Sequence, residues 1–326
     1  MKITMAHGSG GKDSAELMKN IFGRYFSNEI LDRMEDAAVL DIKGRTACST
    51  DTFVVTPLVF PGGDIGKLSV CGTVNDLLMM GAEPEYITCG FVMEEGLDID
   101  VLERITASLA SAAKDAGVSV IAGDTKVIEG HGGLFINTTG LGRIPEGRSI
   151  SASGCRPGDK IILSGDLGDH HACILSARMD IGNDICSDCA CLSEVTGALF
   201  DAGITVRTMR DVTRGGLATV LNEVASTSGT GMKIYEKDIP VNLEVRGFCD
   251  ILGLDPLYMG NEGKLIAAVP GEEAQKALEA VRKTAKGRDA AVIGEVVQGK
   301  GVSLVTDLGG IRVLDVLYGE GLPRIC

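Results

Sequence analysis

Five aspartates punctuate this chain, each beside a glycine, a small residue or the end of an apolar run. They are Asp36 in EDAAVLD, Asp51 in CSTDTFV, Asp76 in CGTVNDLLMMGAEP, Asp124 in VIAGDTK and Asp211 in MRDVTRGGLATVLNEVA. One such residue says little, because Asp caps helices and opens turns in any fold. Five in similar settings constrain the chain more. An acidic cage holds like charges too close together unless a cation sits between them. Two or three carboxylates holding Mg²⁺ against a nucleotide polyphosphate resolve that repulsion.

The runs between these aspartates set the fold class, which is mixed α/β with α+β layers. LDIDVLERITASLASAAKDAG places Val101, Leu102, Ile105, Leu109 and Ala113 on one helical face, with Asp98 or Asp100 as cap and Gly117 as stop. VSVIAGD follows as a buried strand, so Asp124 is expected at a strand end, with Lys126 just past an Asp124–Thr125 turn. Asp51 is expected after a short strand, and Asn75–Asp76 on a helix. GLFINTTGLGRI is a further strand. The turn-rich stretch EGRSISASGCRPGDK near Ile150 marks a domain boundary. Beyond it KIILSGDLGDHHACILSARM reads as strand, glycine turn and helix. Further helices are expected at about 191–202, 214–226 and 271–286, flanked by strands KLIAAVP and AVIGEVV. VSLVTDLGGIRVLDVL reads as a hairpin around Gly309–Gly310.

Composition removes several function classes. The 326 residues carry 31 basic and 45 acidic side chains, a net charge of −14. That balance disfavours sequence-independent nucleic-acid binding, which needs Lys and Arg on phosphates. With no Trp, five Tyr and eight Phe there are few stacking platforms. No apolar run approaches the roughly 18 residues of a membrane helix. The start, MKITMAHGSGG, reaches glycine before a signal-peptide core can form, so a cytoplasmic location with no membrane partner is expected. Of the ten cysteines, Cys48, Cys71 and Cys89 sit in apolar runs and read as small buried hydrophobes. Cys186, Cys189 and Cys191 cluster in DICSDCACL. A CxxC pair holds zinc or a disulfide in some proteins, but no second pair follows at ligand spacing, so a packed or surface cluster is the stronger reading.

Three further features bear on chemistry. HGSGGKDS offers Gly8, Gly10 and Gly11 followed by Lys12, a loop able to turn N–H groups toward phosphate oxygens, though it is no Walker A motif. Lys126 is suited to reach the same phosphates, or to act as a base if its pKa is depressed. Glu262 lies in YMGNEGKLIAAVP, between a turn and a strand. Each of the two is equally consistent with a solvated surface charge. The chain closes on GEGLPRIC, whose Cys326 has no packing rationale at a terminus. Eight residues from Gly319 reach roughly 26–29 Å when extended.

The stretches HGSGGKDS, EDAAVL, STDTFVVTPLVFPGGDIGKLSVCGTVNDLLMMGAEP, AGDTKV, DVTRGGLATVLNE, GNEGKLIAAVP and PRIC occur in that order over nearly the whole chain. Together they resemble the PurM-like, aminoimidazole ribonucleotide synthetase-related ATP-binding superfamily. Within it the chain resembles the HypE family, the carbamoyl dehydratases of hydrogenase maturation. PGGDIGKLSVCGTVNDL and PRIC carry the narrower likeness.

The resemblance implies a homodimer of two-domain chains. Residues 1–150 would form an ATP-binding and dimerisation domain whose sheet closes with its partner's into a β-barrel. Residues 151–318 would form an α+β domain, and 319–326 a flexible tail bearing the reactive Cys326. It implies ATP with Mg²⁺ beside the glycine loop. Asp36, Asp51, Asp76 and Asp211 would hold metal and phosphate, with Gly10, Gly11, Lys12, Asn75, Asp124, Thr125 and Asn261 around the nucleotide. Lys126 and Glu262 match the family's proposed proton-handling pair. Cys326 matches the cysteine that receives a carbamoyl group from a HypF-like carbamoyltransferase. Dehydration would leave a thiocyanate, whose cyanide passes to a HypC–HypD-like iron carrier for NiFe hydrogenase. Glu35 stands where the superfamily often has a second Asp, and Cys186 and Cys191 flank a position where only the equivalent of Cys189 is expected. Another ATP-activating enzyme of the superfamily would leave PRIC without a role. A carrier thiol on an ATP-binding scaffold is the alternative that is not an enzyme.

Overall fold

The computed structural model of the chain describes residues 1–9, 11–33 and 37–316. They fall into two compact units, Met1–Leu77 with Ala82–Glu146, and Leu78–Gly81 with the chain from Gly147 onward. Gly10, Glu35, Asp36, Cys326 and the whole 319–326 segment lie outside the described residues.

In the first unit, short helices α1 (Lys12–Leu17) and α2 (Gly23–Phe26) precede β1 (Arg45–Phe53). A small hairpin, β2 (Val59–Phe60) and β3 (Gly63–Asp64), leads into α3 (Ile65–Met79). Then come β4 (Glu83–Glu94), α4 (Ile99–Asp115), β5 (Ser119–Ile128) and β6 (Leu134–Ile144). The main sheet has the order β1-β6-β4-β5; β4 and β5 run parallel, and their crossover is α4. The helix forms as its pattern demands. Leu102, Ile105, Leu109 and Ala113 are buried, and the Asp98 carboxylate caps the start by accepting the Asp100 N–H at 3.0 Å.

Alternation divides the sheet into two faces. Ile87, Cys89, Phe91 and Met93 of β4 are buried, while the residues between them are half-exposed. On the outer face Thr50, Thr139 and Thr88 form a row across β1, β6 and β4, with the Thr139 hydroxyl 2.9 Å from that of Thr50. The inner face receives α3, which is buried along almost its whole length. Thr73 Oγ1 lies 2.5 Å from Thr138 Oγ1 of β6, so the polar groups inside are paired. At Gly66 the approach of α3 to α4 is backbone to backbone: a Cβ there would stand 2.3 Å from the Ile105 carbonyl oxygen.

The second unit holds β7 (Lys160–Leu163), α5 (Asp169–Met179), α6 (Ser193–Asp201), β8 (Thr208–Asp211), α7 (Gly216–Ser228) and β9 (Gly231–Tyr235). It continues through α8 (Leu243–Leu252), β10 (Leu265–Val269), α9 (Ala274–Arg282), β11 (Ala291–Val297), β12 (Gly301–Val305) and β13 (Ile311–Val313). Its sheet has the order β13-β12-β9-β11-β7-β10-β8, with β9 and β12 parallel. α7 lays Leu217, Leu221 and Val224 into a core shared with Ile234, Ile293, Val302 and Leu304. The hairpin expected around Gly309–Gly310 is β12–β13.

Three sequence expectations need correction. Asp51 lies inside β1 rather than after it. Asp124 is in the middle of β5, and Lys126 follows no turn: pairing with β4 continues through Gly90–Asp124 and Val92–Lys126 to Glu94–Ile128. The TKVI run carries the strand on because β-branched side chains suit a pleated surface. Cys48 is exposed, since it falls on the outer face of β1, whereas Cys71 and Cys89 are buried.

The Gly66 contact yields a test. Gly66→Ala is expected to cost about 1–3 kcal/mol through overpacking of the α3–α4 crossing. A urea unfolding midpoint equal to that of the unaltered chain would contradict the described approach.

Candidate functional site

In the first unit the acidic residues meet along the seam between β1 and α3. Ser49 and Asp51 share the half-buried face of β1. Gly72 and Asp76, one turn apart, share a face of α3. The two elements interlock there. Ser49 Oγ donates to Asp76 Oδ2 at 2.5 Å, and a Cβ on Gly72 would lie 4.0 Å from Asp51 Oδ2. Asp51 and Asp76 thus belong to the same seam. Asp51 also takes the N–H of Thr52 on Oδ1 at 2.8 Å, and Asn137 donates to its carbonyl at 2.9 Å. Asn75, next to Asp76, is buried.

Asp124 and Lys126 stand two residues apart on β5 and form an exposed ion pair. The Lys126 hydrogen bond holds the Asp124 carboxyl below the ordinary carboxylate range, helped by the N–H of Thr125. An exposed pair contributes little to stability. Asp124 and Thr125 also line a cleft of about 840 Å³, together with Met18, Phe22, Phe26 and Phe91. The Cys89 thiol beside it is pushed up to about 12 by burial, which makes it inert. Of the glycine loop, Gly11 precedes the first residue of α1, and the Lys12 side chain is exposed with Glu16 at 3.6 Å.

In the second unit, Asp211 closes β8 opposite Leu265 of β10. Asn261 is fully buried. Its Nδ2 donates to the carbonyls of Val212 (3.0 Å) and Met259 (3.1 Å), and its Oδ1 accepts the Gly168 N–H at 2.8 Å. This amide ties the 259–264 loop to the start of α5. Glu262 is 4% exposed. Its N–H donates to Asp188 Oδ1 at 3.0 Å, and its carbonyl accepts the Ala190 N–H at 3.2 Å. Lys264 Nζ lies 3.3 Å from Asp188 Oδ2 and 3.9 Å from Asp169 Oδ2. Burial pushes Asp169 up to about 6; Lys264 opposes this, and the charges of Asp188 and Asp166 add to it. Burial also drops His170 and His171 to about 4, so both rings are neutral near pH 7. His170 Nδ1 pairs with Ser187 Oγ at 2.7 Å, and His171 Nδ1 accepts the Gly260 N–H at 3.3 Å.

The sequence candidates therefore separate into groups. Asp51, Asn75 and Asp76 belong to one seam, and Asp124, Thr125 and Lys126 to one strand, all in the first unit. Asp211, Asn261 and Glu262 belong to the second. Among the described residues no three His, Cys, Asp or Glu side chains form a metal cage, and Asp36 lies outside them. Cys186, Cys189 and Cys191 stand as thiols. Ser49, Asp169, Asp188 and Lys264 were not singled out from the sequence. Ser49 was detectable as the residue two before Asp51 on the same strand face, and Lys264 as the residue two after Glu262. Asp188 was hidden inside the cysteine cluster.

A two-layer domain with acids on a strand–helix seam, followed by a second domain with acids at loop ends, is the plan of an AIR synthase related protein. The family's N-terminal domain matches residues 34–144 and its C-terminal domain residues 156–307. The carbamoyl dehydratase HypE of Azotobacter vinelandii is 49% identical over 332 residues, covering 99% of this chain and 97% of that protein. The crystal structure of the hydrogenase maturation protein HypE in complex with ATP matches at a TM-score of 0.94 and 47% identity, covering 99% of each chain. A chain from the crystal structure of a HypE–HypF complex matches at 0.82 and 44% identity, covering 92% of this chain and 99% of that one. The chain belongs to the HypE family.

The raised Asp169 pKa has a signed consequence. A carboxyl whose folded pKa exceeds its unfolded value contributes stability that is complete below about pH 4 and is lost as the pH rises through about 6. Near neutrality the fold therefore carries the cost of a buried carboxylate. Asp169→Asn is expected to raise unfolding stability by about 1–3 kcal/mol at pH 7.5, shrinking as the pH falls toward 4. Urea denaturation at both pH values checks this; an equal effect at the two would contradict it.

Proposed function

We propose that this chain is an ATP-dependent carbamoyl dehydratase of hydrogenase maturation. It removes water from a carbamoyl group on the Cys326 sulfur and leaves a thiocyanate. The observation that carries the reading is the near-full-length likeness to the carbamoyl dehydratase HypE. The terminal PRIC supplies the thiol that such a reaction needs.

The chemistry sets the requirements. Dehydrating S–C(=O)–NH₂ to S–C≡N expels an amide oxygen, a very poor leaving group. Transfer of the ATP γ-phosphoryl group to that oxygen releases ADP and turns the oxygen into a phosphate ester. Breaking the C–O bond then releases phosphate as the nitrile forms and both N–H protons leave nitrogen. The chain must align the γ-phosphate with the carbamoyl oxygen and receive the protons.

The residues fit those tasks. Asp51 and Asp76 offer oxygen donors alone, the set Mg²⁺ prefers, and Mg²⁺ takes one or two carboxylates with substrate phosphates completing its shell. That preference suits a site where no three-residue cage is preformed among the described residues. When bound, the ion neutralises phosphate charge. Asp36 and Asp211 are assigned to the same metal and phosphate work. Gly10, Gly11, Lys12, Asn75, Asp124, Thr125 and Asn261 are assigned to the nucleotide. Lys126 and Glu262 are assigned to the departing protons; the burial of Glu262 shields proton transfer from bulk water.

Partners follow from the same reading. A HypF-like carbamoyltransferase loads Cys326, as the relative found in a HypE–HypF complex suggests. A HypC–HypD-like iron carrier accepts the cyanide. A second copy of the chain covers the threonine-lined outer face of the β1–β6–β4–β5 sheet, closing it into a barrel. The work takes place in the cytoplasm. No helix among the described residues is long and apolar enough to cross a membrane.

The test supplies the carbamoylated chain with MgATP and weighs the peptide bearing Cys326. Loss of one water with release of one ADP is expected. ATP turnover without that loss would overturn the reading and favour a small-molecule substrate. In parallel, Cys326→Ala is expected to keep MgATP affinity within about threefold while abolishing the modification.

A further inference from the structure

The structure assigns to Asp188 the role of a positioning residue for Glu262, an inference that rests on the proton-handling role proposed for Glu262. The Asp188 side chain is 3% exposed. A carboxylate that deep is costly unless its oxygens are committed. Both face the Glu262 loop, Oδ1 through a hydrogen bond and Oδ2 through charge alone. Oδ1 accepts the N–H of Glu262 itself at 3.0 Å, and Oδ2 lies 3.3 Å from Nζ of Lys264, two residues further on.

The neighbouring backbone completes the grip. The Glu262 carbonyl accepts the Ala190 N–H at 3.2 Å, so both backbone groups of Glu262 are held by the 188–190 segment. The two segments touch backbone to backbone, because a Cβ on Gly263 would stand 2.0 Å from the Asp188 carbonyl oxygen. On the far side, Asn261 anchors the same loop to Gly168, Val212 and Met259. Glu262 thus sits between an amide anchor before it and a charge-assisted clamp upon it.

A role in stability alone does not require this arrangement. Apolar groups of similar volume replace a buried ion pair at little or no cost in stability. What a carboxylate adds is a directional, charge-assisted hydrogen bond to one N–H. Positional tolerance matters for an acid–base group, since a displacement near 1 Å costs about 100-fold in rate. Asp188 touches neither substrate nor nucleotide in this scheme. It acts through Glu262.

The experiment follows a single turnover of the carbamoylated full-length chain with MgATP in the unaltered protein, Asp188→Ala, Asp188→Asn and Glu262→Gln. Asp188→Ala is expected to slow dehydration about 30- to 100-fold with KM for ATP unchanged within threefold, and to speed hydrogen exchange at the Glu262 amide. Asp188→Asn keeps an oxygen facing that amide and is expected to stay within about fivefold of the unaltered rate. If Asp188→Ala fails to fold, Asp188→Ser, whose hydroxyl is too short to reach the amide, carries the same expectation. Glu262→Gln is expected to be inactive. An inactive Glu262→Gln beside a fully active Asp188→Ala overturns the positioning role and leaves the function standing. Equal loss in Asp188→Asn and Asp188→Ala also overturns it, because the acceptor oxygen would then not be what matters. A fully active Glu262→Gln removes the proton-handling role, and the positioning role with it.

Discussion

The first unit is organised around a strand–helix seam that brings Asp51 of β1 and Asp76 of α3 together through Ser49 and Gly72. Asp51 is held by its strand and Asp76 by α3, while the Ser49 hydroxyl at 2.5 Å satisfies an oxygen of Asp76. The geometry is rigid because α3 is pinned elsewhere, at Gly66 against the Ile105 carbonyl and at Thr73 against Thr138. Under the proposed function, the oxygen donors of this fixed seam are what Mg²⁺ with its phosphates would bind.

The second unit handles charge differently. Lys264 stands among Asp169 and Asp188, and their side chains are 12%, 14% and 3% exposed. Burial raises Asp169 to about 6, Lys264 opposes this, and the charges of Asp188 and Asp166 add to it. The neutral imidazoles of His170 and His171, bonded through Nδ1, and the amide of Asn261 add hydrogen bonds rather than charge. This hard-wired pocket holds the loop that carries Glu262. The second unit thus holds both backbone groups of Glu262.

Much of this was legible in the sequence wherever a single local rule governs. The i, i+3, i+4 spacing of Leu102, Ile105 and Leu109, with Asp98 before and Gly117 after, specifies α4 without tertiary help. The hairpin at Gly309–Gly310 and the strand–turn–helix of KIILSGDLGDHHACIL are of the same kind. The reading failed where pairing partners decide. GDTK looks like a turn, yet β4 supplies a continuous edge and draws Asp124 and Lys126 into the strand. Cys48 looks buried from its neighbours, but register places it on the open face. Asp188 could not be found from sequence, because its meaning lies in Glu262 and Lys264, 74 and 76 residues away.

In the proposed reaction ATP converts the carbamoyl oxygen into a leaving group. Labelling that oxygen with oxygen-18 tests it directly. A single turnover of the labelled, carbamoylated chain is then run in unlabelled water, and the inorganic phosphate is examined by mass spectrometry. The label is expected in the released phosphate, with one labelled oxygen for each thiocyanate formed. Thiocyanate formed with unlabelled phosphate, the heavy oxygen appearing in water instead, would contradict it.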